Sequence, residues 1–571
     1  MVFDLTVGID VGMSTGVAYR QSKTGGVDCD VVFLKWGSNE QIKVSTKLAY
    51  ARTDDSQPPL HWGLNIPDTT ENLSVKGWFK TDFGGNGSNQ AEAERNAEAE
   101  RLYSDYLKCL HDELSQRFVR DGILGKAWKH ANIPFVFSTP ACWEPPVVAQ
   151  FKTLISKAGF EKSQSKRLGR GVHTVAITMT EPQATAAFEL HTPQPAANLR
   201  RDHNVMIIDV GAGTGDFSLL QDAINAQETL HWREHQPAIG QNIGPWYIDL
   251  GFEARMTEIL KPYQHLLSHS ASHVAWEIRR GTRLLHVKHE FRGANVQSKT
   301  IPVPHLGDGQ RVHDDTIQDG HFINPETELE PLFDQQVKTI TDCIFERASQ
   351  RNEPLESLQS CSIFPQDYLL RSGGLGSSLY VKRQLETFCN DFSMLKSTKL
   401  VVSRQPQLAV YMPPLPTRPP FLRLLAARYS VSLVACRALP LLKRTWISIL
   451  TRGKGLEGRF DDCVDWIIPK GKQIQNGGEL EFERKLFFEP GERRLCNIEI
   501  VCSLADGLSP LKGSEFIATH QVMRASFSEA DAKKKRKVLW RKGHFFQVEF
   551  KIKAIIGLAQ THFLCWLPGA I

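Results

Sequence analysis

Residues Val205 to Leu220 read VMIIDVGAGTGDFSLL. Val205 to Ile208 are four apolar residues, the pattern of a short buried strand, and Asp209 ends the run. Gly211, Ala212, Gly213, Thr214 and Gly215 make a tight turn. Asp216 follows, and Phe217 to Leu220 open a second strand. Glycine lets backbone approach a ligand closely and takes positive φ without a steric penalty. Successive N–H groups in such a turn form an anion-binding concavity. Two carboxylates cannot face a phosphate directly, but they can hold Mg²⁺ and its waters between themselves and the phosphates. The stretch therefore reads as a metal-nucleotide clamp. Taken alone it also fits an ordinary hairpin, with glycines for geometry and acids for solubility.

The N-terminus repeats the device. In LTVGIDVGMSTGVAYR, Leu5, Val7 and Ile9 alternate as a strand, Asp10 ends it and Gly12 turns it. Ser14 and Thr15 offer hydroxyls, and Val17 to Tyr19 start a return strand. Two hairpins of one design in two halves of a chain imply a duplicated fold that grips one ligand from both sides. A third piece, LLRSGGLGSSLYVKRQLE (Leu369 to Glu386), runs from apolar residues into Gly373, Gly374 and Gly376, then into a helical pattern at Leu379, Val381 and Leu385. A glycine turn that opens a helix suits close packing of a flat or anionic group.

With these three pieces in order, the chain resembles the superfamily of actin, sugar-kinase and 70-kilodalton heat-shock chaperone ATPases. IDVGMSTGVA (Ile9 to Ala18) looks like its first phosphate loop and IDVGAGTGDFS (Ile208 to Ser218) like its second. RSGGLGSSLYVKRQLE (Arg371 to Glu386) looks like its adenosine motif, and TEPQATAAFEL (Thr180 to Leu190) like the connecting stretch. The EP-x-A-x-A form points to the heat-shock chaperone branch, and the Gly-Leu-Gly-Ser form of the adenosine motif to a divergent, shorter member of it. The resemblance covers Val2 to Val410. It implies an α/β actin-like ATPase, with duplicated ribonuclease-H-like lobes around a nucleotide cleft, that takes ATP or ADP with Mg²⁺.

The same resemblance implies roles for single residues. Gly12, Ser14 and Thr15 in the first loop, and Gly211, Ala212, Gly213 and Thr214 in the second, would cradle the phosphates. Asp10 and Asp209 would hold Mg²⁺ through waters. Glu181 would orient the attacking water, with Asp216 and Lys80 assisting. Glu277 and Arg280 would clamp the adenosine, beside Gly373, Gly374, Gly376 and Ser377. Plainer roles stay open for four of these. Lys80, in the WFK stretch, also fits a surface lysine on an amphipathic segment. Glu181 also fits a helix-capping acid. Glu277 and Arg280 also fit an exposed i,i+3 ion pair. Met13 stands where the first loop usually has a hydroxyl, and Ala212 replaces the central glycine of the second, which Ala tolerates only at negative φ. Both departures trouble hydrolysis more than binding.

At 571 residues the chain exceeds one domain. Its 41% apolar and 23% charged content is that of a globular protein, and a net charge of +5 does not imply nucleic acid. No two of the eleven Cys have C-x-x-C spacing, so zinc is not expected, and no metal site is expected from the nineteen His. Scattered thiols and no signal-peptide pattern imply a cytoplasmic or nuclear chain. The expected divisions are lobe I over 1–200, lobe II over 201–410, an atypical Pro/Leu/Arg-rich segment over 411–459 and a β-rich domain over 460–571.

Strands are expected at Val31 to Lys35, Leu60 to Pro67, Ile133 to Ser138, Val172 to Thr180 and Phe291 to Val303. Helices are expected at Ala91 to Arg120, Trp143 to Ala158, Gln183 to Leu190, Ile248 to Ile259, within His265 to Arg283, and at Pro325 to Glu346. Ser403 to Val410 resembles the last ATPase helix. Tyr411 to Leu456 then loses the pattern. Its basic residues exclude a spanning helix and leave a linker with a packed helix, a membrane-surface helix or a rewritten segment. From Phe460 the runs are strand-like, and IIPKGKQI resembles the opening of the chaperone's peptide-binding β-sandwich. Neither its helical lid nor its interdomain linker is recognisable, so the module is expected to bind partners weakly and release them fast. KKKRKV, Lys533 to Val538, reads as a solvated charge run between strands or as a basic nuclear-import signal.

The expected function is a heat-shock-70-like ATP-binding protein whose Mg-ATP hydrolysis is coupled to weak binding of polypeptide clients and co-chaperones, with no membrane span. A nucleotide-sensing scaffold with little turnover and a small-molecule kinase of the same superfamily are the alternatives.

Overall fold

The computed structural model describes residues 3–21, 31–37, 40–67, 72–84, 90–161, 171–191, 204–224, 230–234, 238–294, 299–306, 316–349, 367–392, 395–403, 422–426, 430–436, 466–468, 473–475, 479–488, 495–503, 517–527, 532–536, 544–556 and 561–566. The architecture is mixed α/β. The chain forms two units, one of Met1–Trp143, Thr153–Leu230 and Ala238–Pro419, the other of Glu144–Lys152, His231–Pro237 and Pro420–Ile571.

Two sheets share one four-strand order within the first unit. In the N-terminal sheet, β1 (Leu5–Val11) and β2 (Ser14–Gln21) form an antiparallel hairpin. Two further strands, β3 (Ile133–Thr139) and β4 (His173–Thr180), add in parallel on the β1 side, giving the order β2-β1-β3-β4. In the central sheet, β5 (Asn204–Val210) and β6 (Gly215–Ile224) form the hairpin. There β7 (Tyr368–Ser372) and β8 (Lys399–Val402) add in parallel, giving β6-β5-β7-β8. Every residue of β1 and of β5 is buried, as expected of strands covered on both faces.

Among the described residues there are eight α-helices. The long α1 (Gln90–Arg120) buries Leu102, Tyr103, Tyr106, Leu107, Leu110 and Leu114, one stripe at three- and four-residue spacing. After α2 (Pro145–Lys157) comes α3 (Glu181–His191), which packs against strands of both sheets. At the start of α3 one half of a capping box is formed: the Gln183 side chain reaches back to accept from Thr180 N at 3.0 Å. Five helices follow around the central sheet: α4 (Pro245–Leu260), α5 (Ala271–Arg280), α6 (Thr282–His289), α7 (Pro325–Ser349) and α8 (Leu379–Asp391). They enclose one core with Ile248, Phe252, Val274, Phe333 and Leu385.

Some expectations need correction. Leu60 to Pro67 is a strand only at His61–Trp62; Gly63, at φ +58°, turns the chain into a 3₁₀ turn. Among the described residues of Phe291 to Val303 the strand is Thr300–Pro302, and Val31 to Lys35 is a strand only at Val32–Phe33. The last ATPase helix expected at Ser403 to Val410 lies outside the described residues after 403.

The described residues of the second unit are strands, apart from the α2 residues it includes. Leu422–Ala426 and Ser430–Cys436 fall where a linker or helix was expected. Ser430–Cys436 pairs along its whole length with Leu495–Ser503, so this segment belongs to the β unit and the division falls at Pro419/Pro420 instead of 459/460. Its alternating apolar residues, Val431, Leu433 and the small Ala435, fit a strand better than a basic helix. Ala532–Arg536, within the expected charge run, is also a strand and pairs with His544–Ile556. Thr561–Trp566, not expected, pairs with the same long strand.

A carboxylate-lined cleft as candidate functional site

Asp10 and Asp209 stand at corresponding ends of β1 and β5, each just before its glycine turn, and both line one cavity of about 610 Å³. That volume is within the range of small-molecule sites, roughly 300–1,000 Å³. The two turns touch: a Cβ added at Gly213 would lie 2.4 Å from Met13 Cε. Gly211 N donates to Thr214 O at 2.9 Å and closes the second turn. Ala212 keeps a negative φ, and its carbonyl accepts from Trp246 N at the start of α4 at 3.0 Å.

Strand register sets the partner of Asp10. Across the N-terminal sheet, Asp10 lies opposite Gly16, and Gly16 opposite Lys43 on the short strand Lys43–Ser45. Gly16 has no side chain to separate them, and Lys43 Nζ reaches Asp10 Oδ2 at 3.1 Å. Lys80 arrives from a turn anchored by its neighbours. Phe79 and Phe83 each pack on Tyr103 of α1 with ring centroids 4.8 Å apart, while Lys80 is only 6% exposed. Its Nζ bonds Glu181 Oε1 at 2.7 Å. Glu181 is the first residue of α3, so its carboxylate also sits at the favourable end of the helix dipole. From the same helix Thr185 Oγ1 donates to Asp209 Oδ2 at 3.4 Å.

The glycine-rich turn after β7 closes the cleft from the central sheet. Gly373 has φ +79°, and a Cβ there would fall 2.2 Å from Val210 O and 2.7 Å from Asp209 Oδ1. Only glycine fits. Leu375 N and Gly376 N donate to Val210 O at 3.1 and 3.3 Å, lacing the turn to the end of β5. Arg371, buried under it, donates from Nη1 to Gly376 O at 2.8 Å, and burial brings its pKa down to about 10. Gly374 faces open space and Ser377 and Ser378 line the cavity. At its mouth Trp78, in the left-handed region at φ +68°, stacks on Trp246 at 4.4 Å. Lys47 lies over the first ring at 5.7 Å and Arg279 over the second at 5.1 Å.

Charge in this region is unbalanced. Asp10, Glu181, Asp209 and Asp216 are buried together; half-buried Lys43 pairs with Asp10 and buried Lys80 with Glu181. Burial, with Glu181 and Asp10 nearby, pushes Asp209 up to about 7. Burial also raises Asp216, next to Glu181, and raises Glu181 itself against the pull of Lys80. Burial works against the Lys80 ammonium, but Glu181 and Asp10 outweigh it and hold the group charged. Asp216 accepts from Ala141 N with one oxygen, and its buried Oδ2 has no hydrogen-bond partner.

Of the residues singled out from sequence, Asp10, Gly12, Ser14, Lys80, Glu181, Asp209, Gly211, Ala212, Gly213, Thr214, Gly373, Gly374 and Ser377 line this one cavity. Five do not line it. Thr15 turns its hydroxyl to Thr46 at 3.0 Å. Asp216 lies behind the turn, and Gly376 serves backbone packing, where a Cβ would meet Ser372 O at 1.9 Å. Glu277 bonds His273 and His305, and Arg280 lies over the Trp276 ring at 4.5 Å, so they form neither an adenosine clamp nor an ion pair with each other. The cleft takes its basic residue from the next helix, where Lys288 pairs with Asp249 at 2.5 Å. Sequence reading also missed Lys43 and the two tryptophans. Strand alternation in QIKVSTK carried a signal for Lys43; none marked the tryptophan pair.

Burial raises Asp209, Asp216 and Glu181, so this cluster is favoured by an added proton or by a bound cation. The carboxylate oxygens that line the cavity have the chemistry that Mg²⁺ takes; Asp10 and Asp209 would hold it, directly or through waters. Among the described residues, no helix is long and apolar enough to cross a membrane. No protein-family profile matches the chain, and no curated protein matches it.

Proposed function

We propose that the chain is a heat-shock-70-like ATP-binding protein of the actin, sugar-kinase and heat-shock ATPase superfamily, that it hydrolyses Mg-ATP, and that its β unit binds polypeptide clients weakly. The observation that carries this reading is the convergence on one cavity of Asp10 and Asp209, from two sheets that share a four-strand order, with Glu181 from α3 and Lys80 from a turn. Sheets written twice around a polar cavity support the duplicated ribonuclease-H-like arrangement that the motifs resemble.

In this reading the backbone of both turns receives the phosphates, and Asp10 and Asp209 would hold the metal, whose charge would offset that of the phosphates. Lys80 holds Glu181 in place at 2.7 Å; Glu181 orients a water toward the terminal phosphate and takes up its proton. Phosphoryl transfer then depends on positioning and charge neutralisation. The glycine turn at Gly373 and Gly374, with Leu285, Lys288 and Phe333, receives the base and ribose.

One observation favours a second reading, a nucleotide sensor with little turnover. Met13 replaces a hydroxyl and lies directly against Gly213, where the two phosphate turns meet. Steady-state phosphate release, with and without an unfolded polypeptide, separates the two. Release that is Mg²⁺-dependent, client-stimulated and lost in Asp209→Asn supports the ATPase. ATP binding without release supports the sensor. Transfer to a sugar hydroxyl instead of water would contradict both.

A further inference from the structure

Three imidazoles meet on the first unit, away from the cleft. His269 precedes α5, His273 lies in its first turn and His305 follows the strand Thr300–Pro302. One ring nitrogen of each lies within 4.8 Å of the others. The rings of His269 and His305 are 4.0 Å apart by centroid, and His269 stacks on His273 at 4.9 Å. Glu277, one turn after His273, bonds two of them: Oε1 to His273 Nε2 at 3.0 Å, and Oε2 to His305 Nε2 at 2.8 Å.

The backbone holds these four donors in place. Ser270 caps α5 by accepting from His273 N at 3.2 Å, which fixes the entry of His269 and His273 together. Ser268 N donates to His305 O at 3.0 Å, and Leu267 bridges to Leu306. His305 adopts φ +64°, a conformation unfavourable for a side-chain-bearing residue.

We propose that His269, His273 and His305, with Glu277, form a site for a divalent transition-metal ion of the zinc type, which pins the loops at 267–269 and 303–306 to α5. Imidazole and carboxylate donors suit Zn²⁺, Ni²⁺ or Cu²⁺, whereas the all-oxygen cleft suits Mg²⁺, so the two sites take different ions. In a tetrahedral zinc site, bonds of ~2.0–2.1 Å place donors roughly 3.3 Å apart. The observed separations, from 2.8 Å to 4.8 Å, bracket that value, so rotamer adjustments suffice. Glu277 serves as the fourth ligand or as the carboxylate that orients the imidazoles. The sequence carried half the signal: His269, His273 and Glu277 follow one another at four-residue steps. His305 comes 28 residues after Glu277, and only the fold brings it in.

The test uses the full chain without a polyhistidine tag, stripped with chelator, and titrated with Zn²⁺ by calorimetry and with Co²⁺ by visible absorption. The expected result is one saturating ion per chain and a cobalt spectrum of nitrogen and oxygen ligation. His273→Ala and His305→Ala each remove that equivalent, and Glu277→Gln weakens it roughly ten-fold. Asp209→Asn leaves it intact, which separates this site from the cleft. His305→Gln, closer in size, repeats the loss in a chain whose circular dichroism matches wild type. No saturable ion, or an equivalent that survives His273→Ala and His305→Ala together, overturns the proposal.

Discussion

Asp209 is the residue on which cleft electrostatics turn. Burial and the carboxylates of Glu181 and Asp10 raise its pKa to about 7. In the unfolded chain the same group titrates near ~3.9. Its protonated form therefore contributes stability that is full below about pH 4 and is lost as pH rises through about 7. We predict that Asp209→Asn stabilises the metal-free protein at pH 8, by at most on the order of 4 kcal/mol, and that the gain disappears at pH 4. Urea unfolding at the two pH values checks this; equal effects at both would contradict it. Lys80 predicts the opposite sign within the same cluster. Its removal strands Glu181 among buried acids, so Lys80→Met costs about 3–5 kcal/mol at neutral pH. Unfolding of Lys80→Met within 1 kcal/mol of wild type, a band roughly that of a surface substitution, would place Lys80 outside the buried pair.

At the scale of elements, the turn after β7 couples sequence to site. Gly373 and Gly374 are adjacent yet not equivalent: a Cβ at the first meets Val210 O and Asp209 Oδ1, while the second faces open space. Gly373→Ala is predicted to cost roughly 2–4 kcal/mol, from clash and a left-handed φ. Gly374→Ala should stay within about 0.5 kcal/mol in stability and weaken only ligand binding. Thermal melts and nucleotide titration of both variants check the contrast; equal destabilisation would contradict it. This scale also shows what was legible. Both hairpins, both acids and the glycine turn could be read because local periodicity and φ requirements specify them. Glu277 and Arg280 misled because their i,i+3 spacing says which face they share, not what that face meets. Lys43 was overlooked because its partner is chosen by strand register, a long-range property. The strands at Leu422–Ala426 and Ser430–Cys436 were overlooked because proline and arginine on either side masked their alternation.

For the whole molecule, the four-strand order shared by the two sheets brings Asp10 and Asp209 to one cavity, with α3 packed against both sheets. Lys43, Lys80, protons or an added cation each offset the charge of these buried acids, so cation binding and folding stability are linked. Mg-ATP at a hundred times its Kd should stabilise the protein by ~2.7 kcal/mol. It should also slow hydrogen exchange in both hairpin turns and at residues 372–378, while leaving α1 unchanged. Protection confined to the β unit would contradict a cleft site.

The most direct test of the central claim is calorimetric titration of ATP into the full chain with and without Mg²⁺, alongside Asp209→Asn. The account predicts one site per chain, binding that tightens with Mg²⁺, and loss of that tightening in Asp209→Asn. Absence of ATP binding to the folded wild-type chain, or equal affinity with and without Mg²⁺, would contradict it.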